Sequence, residues 1–150
     1  MKRMIAAGII FCIILGLAIL VKGPSTDYYK GKFHTGNNDT VELSLTIADT
    51  DSERRKGLMY TPLLPKSAGM LFIFSEEDFR SFWMKNTLIP LDIIFLDKDY
   101  RVVNIEQAST QVFASEEELK LYKSEEPARY VIEVNRGFSN KHNITKDDLF

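Results

Sequence analysis

The sequence predicts a mainly β domain of the α+β class, a compact antiparallel sheet or barrel-like single domain with two short helices, preceded by an N-terminal transmembrane helix. Three observations predict it. Val41, Leu43, Leu45 and Ile47 alternate with Glu42, Ser44, Thr46 and Ala48, the period of a strand with one face on a core. Short runs rich in aromatic and β-branched residues recur between clusters of Gly, Pro, Asn and Asp. One uncharged run, Met4 to Val21, stands directly behind Lys2 and Arg3.

That run would extend roughly 27 Å as a helix, close to the thickness of a bilayer's hydrocarbon core. Basic residues stay on the cytoplasmic side, so residues 4–21 are expected to contact the membrane as a single-pass anchor and to deliver the rest of the chain outside the cytoplasm. The alternative is a cleaved signal, with Gly16-Leu17-Ala18 as a small-residue cleavage site and a secreted or periplasmic product. With 150 residues there is room for this segment, 1–22, a linker and first hairpin, 23–40, and one domain, 41–150.

Gly23-Pro24-Ser25-Thr26 reads as linker, and Tyr28 to Phe33 as a strand ending at the turn Gly36-Asn37-Asn38-Asp39. After the alternating strand, Thr50 and Glu53 have the spacing of a capping box that opens a short helix, with Gly57 closing it. A loop through Pro62 and Pro65 leads to Gly69–Phe74, and Phe79–Lys85 follows; both are too apolar for surface loops and are expected as strands. Leu91–Leu96 and Arg101–Ile105 flank Asp97-Lys98-Asp99 as a hairpin. Ser115 and Glu118 repeat the capping-box spacing before an amphipathic piece reaching Tyr122. Tyr130–Val134 is the last strand, and residues 137–143 look turn-like.

Several chemistries are excluded. The formal net charge is −2 and the one basic cluster, Arg54-Arg55-Lys56, is short, so nucleic acid is not an expected partner. The single cysteine, Cys12, lies in the apolar run, which leaves the domain without a thiol nucleophile, disulfide or cysteine zinc site. His34 and His142 stand apart without an acidic or serine motif, and Met59, Met70 and Met84, which could suit Cu(I), sit in apolar runs where packing explains them. No metal or cofactor is indicated.

Two acids stand out. Asp92 shares a strand face with Ile94 and Leu96, and Glu133 shares one with Val131 and Asn135. An ionised carboxylate among apolar side chains costs several kcal/mol unless paired, so a cationic or amide partner is expected, with Arg54, Lys85 and Asn86 as candidates. Together with Trp83, whose ring could stack on a ligand, these residues make the candidate ligand-binding set: Arg54, Trp83, Lys85, Asn86, Asp92 and Glu133. The same groups would equally satisfy one another as a buried network that sets strand register, and both readings stand open.

Glu53-Arg54 with Gly57-Leu58-Met59, Gly69-Met70-Leu71-Phe72, Phe82-Trp83-Met84-Lys85-Asn86-Thr87, Ile89-Pro90-Leu91-Asp92 and Tyr130-Val131-Ile132-Glu133 form an ordered set. The set resembles the domain of unknown function 192 family, from about Val41 to the C-terminus. Asp97-Lys98-Asp99 departs from it, standing where the family pattern has a glycine at the hairpin turn. The resemblance implies a compact β-rich domain, often exported behind a signal or anchor, with no settled activity. The expected function is a membrane-tethered extracytoplasmic binding or accessory module for a small polar or envelope-associated ligand. The alternatives are a hydrolase or lyase using Asp92 and Glu133 as an acid/base pair, and a structural or partner-binding domain without a small-molecule site.

Overall fold

The computed structural model describes residues 28–150. The expected membrane segment and Cys12 lie outside them; among the described residues no helix is long and apolar enough to cross a membrane. The chain runs β1 (Tyr29–His34), β2 (Thr40–Ala48), α1 (Asp51–Lys56), β3 (Ala68–Asp78), β4 (Ser81–Phe82), β5 (Leu91–Leu96), β6 (Val102–Ala108), a 3₁₀ turn (Glu116–Glu118), β7 (Tyr122–Lys123), β8 (Ala128–Asn135) and α2 (Phe138–Lys141).

Six strands form one sheet in the order β1-β2-β3-β8-β5-β6, and β4 pairs with β7 as a separate ribbon. The sheet is mixed, which corrects the antiparallel expectation: β2 and β3 are parallel, with Ser44 beside Ala68 and Ala48 beside Phe72. The cause is the stretch between them. Parallel neighbours need a long crossover, and α1 with the loop through Pro62 and Pro65 supplies it. The helix starts where the sequence indicates. Thr50 accepts from the Glu53 amide and the Glu53 carboxylate accepts from the Thr50 amide, a complete capping box.

Nor is the sheet a closed barrel. It curls, and the C-terminal residues bridge its two edge strands at one end only: the His34 amide donates to the Leu149 carbonyl at 2.7 Å and the Val102 amide to the Asp148 carbonyl at 2.9 Å. The Asp148 carboxylate accepts from the Gly36 and Thr145 amides at 2.8 and 2.7 Å, tying this segment to the first turn. Phe150 packs against Phe33 with the rings tilted at 57°, and it fills the space over Gly31 where any side chain would collide with it.

Both faces of the sheet carry a core, which explains why β5 is buried along its whole length. Inside the curl, Phe33, Leu43, Leu45, Ile94, Leu96, Ile132 and Val134 pack with Phe138 and Ile144. On the outer face, Phe72, Leu91, Ile93, Phe95 and Val131 are covered by Leu58, Met84 and Tyr122 from the excursions between strands.

Three expectations are corrected in these excursions. Only Ser81–Phe82 of the 79–85 run is a strand, because Met84 plugs fully into the outer core and the chain turns there, the Thr87 amide donating to the Met84 carbonyl. The Ser115 capping box forms, but around a single 3₁₀ turn, and Tyr122 then pairs as β7. The second helix is instead α2, within the stretch expected as turn.

Candidate functional site

Glu133 is at the centre of the arrangement. It projects from β8 into the outer face, between Met70 on β3 and Ile93 on β5, and is 4% exposed. Its Oε2 is buried without any hydrogen-bond partner among the described residues. Among the described residues no cation forms an ion pair with it. Burial alone pushes the carboxyl up to about 8, so at neutral pH the group is a protonated, uncharged acid.

This acid forms part of the lining of a pocket of about 280 Å³. Phe72, Phe74, Phe82 and Trp83 supply aromatic walls, Gly57 and Leu58 one side, and Arg54, Arg55 and Lys56 the charged lining. The walls are braced against one another: the Phe82 ring meets Phe72 edge-on at 5.0 Å and Phe95 at 5.9 Å. Gly57 has φ +48° and ψ −136°, a conformation that favours glycine, and a Cβ there would lie 3.3 Å from the Phe72 ring and 3.7 Å from Glu133 Oε2. The absence of a side chain at Gly57 thus helps keep space beside the acid. A larger depression of about 620 Å³ lies beyond Leu58 and Met59, lined by the 60–65 loop. It has no buried, unpartnered polar group among its lining residues.

The six residues picked from the sequence divide. Arg54, Trp83 and Glu133 line the pocket; Lys85, Asn86 and Asp92 do not. Arg54 donates to the carbonyls of Asp49 and Ile73 and pairs with Asp51, while its guanidinium lies 5.2 Å from the Phe74 ring centre. It therefore holds α1 against β3 as well as lining the site. Lys85 pairs with Glu116 and lies 5.5 Å from the Trp83 ring. Asn86, with φ +54°, donates from Nδ2 to the Tyr60 hydroxyl at 2.7 Å, and its carbonyl accepts from the Tyr60 amide at 2.9 Å. It ties the turn carrying Trp83 to the loop carrying Leu58 and Met59.

Asp92 belongs to the other face. It is wholly buried, and its two oxygens accept from the backbone amides of Gly137 at 3.0 Å and Ser139 at 2.9 Å, fastening the first turn of α2. It has the amide partners that its burial demands, but they are not Arg54, Lys85 or Asn86. Because Ile93, not Asp92, is the register partner of Glu133, the two acids point to opposite sides of the sheet, and no acid/base pair forms between them.

The pocket also contains residues outside the set expected from the sequence: Gly57, expected to close the helix, Phe72, Phe74 and Phe82, expected in strands, and Thr87. The one signal for them was alternation, which places Phe72 and Phe74 on a common face of β3.

The model of the DUF192 family, described as Uncharacterized ACR, matches residues 33–150. Among solved structures, the chain is similar to a "putative transcription regulator" from Sinorhizobium meliloti 1021, with 32% identity, a TM-score of 0.73, and coverage of 82% of this chain and 93% of that one. It is similar as well to a protein of unknown function from Novosphingobium aromaticivorans DSM 12444, with 30% identity, a TM-score of 0.74, and coverage of 81% and 83%. No curated protein matches.

Proposed function

Because the chain belongs to the DUF192 family, whose description names no activity, we propose from the chemistry of its own pocket that it is a membrane-tethered extracytoplasmic module that binds a small ligand against Glu133. One observation carries this: an unpartnered, buried carboxyl group lines an aromatic pocket of about 280 Å³. Small-ligand sites combine mostly apolar walls with a few polar groups that fix orientation, and an orphaned acid in such a setting is a functional-site signature. The pocket favours this reading over a purely structural domain.

The tether rests on the uncharged run Met4–Val21 behind Lys2 and Arg3. Binding is favoured over acid/base hydrolysis because Glu133 has no second carboxylate among the pocket residues. The regulator description of the Sinorhizobium protein is not carried over: a chain of net charge −2, with one short basic cluster, lacks the concentrated positive face that DNA phosphates require.

The test uses the full-length protein. Trp83 is its only tryptophan and lines the pocket, so tryptophan fluorescence reports on occupancy. A fragment panel should yield compounds that shift this fluorescence in the wild type and not in a folded Glu133→Leu variant. A panel without a single Glu133-dependent response refutes the binding reading. Resistance to alkaline extraction, with protease access only from outside, is expected of the tether, and release into the soluble fraction refutes it.

A further inference from the structure

The charges lining the pocket define its ligand further. Apart from the neutral Glu133, every ionisable lining residue is a cation: Arg54, Arg55 and Lys56. Arg54 is committed to Asp51 and to two carbonyls. Arg55 and Lys56 are exposed, and among the described residues neither is in an ion pair. The outer end of the pocket therefore offers two uncommitted positive charges. The inner end offers none.

We propose, building on the binding site described above, that the ligand is a small organic anion with a flat, unsaturated body, its charged end held at Arg55 and Lys56 and its uncharged hydrogen-bonding end received by Glu133. The body is set by the walls. Phe72, Phe74, Phe82 and Trp83 present ring edges and faces that suit a planar group. The inner end is set by the acid, which in its protonated form supplies one O–H donor and one carbonyl acceptor, complementary to a hydroxyl or carbonyl. A charged inner end is disfavoured because it would be desolvated away from the outer cations.

A cationic ligand is the natural competitor, since it could ionise Glu133 and pair with it. The groups facing Glu133 argue against that. From α1 they are Arg54, Arg55 and Lys56; β3 and β5 contribute Met70, Phe72, Leu91, Ile93 and Phe95, none of them ionisable; the 81–87 turn directs Lys85 to Glu116. On β8 itself, Arg129 donates to the Phe74 carbonyl. A cation entering would pass the like charges of Arg55 and Lys56 at the outer end and find no carboxylate in the pocket lining but the one it must first deprotonate.

The test is a matched series of para-substituted benzyl alcohols on the full-length protein, read by Trp83 fluorescence and calorimetry: 4-(hydroxymethyl)benzoate, 1,4-benzenedimethanol and 4-(hydroxymethyl)benzylamine. The benzoate should bind roughly three- to tenfold tighter than the neutral diol, the increment of exposed ion pairing, and the amine weakest. An Arg55→Gln/Lys56→Gln variant should abolish the difference between benzoate and diol, and a difference that survives in it overturns the assignment of the charged end to Arg55 and Lys56. Glu133→Gln, which keeps a donor and an acceptor, should keep the order. Tightest binding by the amine, or equal binding by all three, overturns the anion assignment and leaves the pocket reading standing. If none of the three binds at millimolar concentration, the anion assignment falls; if a broad fragment panel also gives no Glu133-dependent response, the pocket reading falls with it.

Discussion

Replacing Glu133 by Gln should remove a pH dependence of stability that the wild type carries at ordinary pH. The folded carboxyl ionises near 8, against 4.5 for the free group. Below 4.5 both folded and unfolded chains hold the proton and the group has no pH-dependent effect. Between 4.5 and 8 the unfolded chain releases the proton while the folded chain keeps it, so the folded state binds more protons and stability falls as pH rises. Each pH unit in that window is worth about 1.4 kcal/mol, which makes the loss roughly 3 kcal/mol between pH 5 and pH 7. Glu53, Glu116 and Glu118 have carboxyls held below the usual range by their hydrogen bonds and ion pair, so they titrate lower, and their effect is common to both proteins. Urea unfolding of wild type and Glu133→Gln at pH 5, 6 and 7 therefore isolates the one group. The wild type should lose roughly 3 kcal/mol relative to the variant across that span. A difference that stays constant with pH means that Glu133 is ionised when folded, and the case for a neutral, unpartnered acid in the pocket fails.

Asp92→Ala leaves the partly buried Gly137 amide and the buried Ser139 amide without an acceptor and should cost roughly 2–5 kcal/mol in urea unfolding, while the pH dependence due to Glu133 persists because the residues lie on opposite faces. Gly57→Ala forces a side chain into a φ of +48° and sets a methyl 3.3 Å from Phe72; it should cost roughly 1–3 kcal/mol and weaken binding in a Trp83 fluorescence titration. Unchanged affinity in a folded Gly57→Ala protein would show that the space beside Glu133 is not where the ligand sits.

What the sequence revealed follows the range of the physics involved. Local signals were readable: the Thr50–Glu53 capping box, the alternation of Val41, Leu43 and Leu45, and the doubly buried strand Leu91–Leu96 are set by neighbours a few residues apart. The parallel β2–β3 pairing was not, because a short helix and a loop between two strands are compatible with either direction of the second strand, and only long-range packing decides it. Likewise, periodicity told which side of its own strand each acid takes, but only the register Ile93 beside Glu133 tells that these sides are opposite. The pocket was half-legible for the same reason. Glu133 stands out as a charge set in an apolar strand, Arg54 as a cation able to meet it and Trp83 as a ring able to stack on a ligand, whereas Phe72, Phe74 and Phe82 look like core wherever they are placed.

Asp92 and Glu133 began as one problem, a carboxylate set among apolar strand residues, and the fold solves it in two ways. Asp92 is given two amides and so becomes a structural fastener. Glu133 is given nothing and stays protonated instead. The second solution is costly for stability alone: a leucine at this position would pack against Phe72 without leaving any polar atom unsatisfied, whereas an orphaned polar group costs roughly 1–3 kcal/mol. A buried donor and acceptor left open toward a cavity recovers that cost only when something enters the cavity and bonds to it. The sacrifice of stability at Glu133 is thus intelligible as preorganisation for an occupant, in the way that the same sacrifice at Asp92, with its amides already in place, would not be.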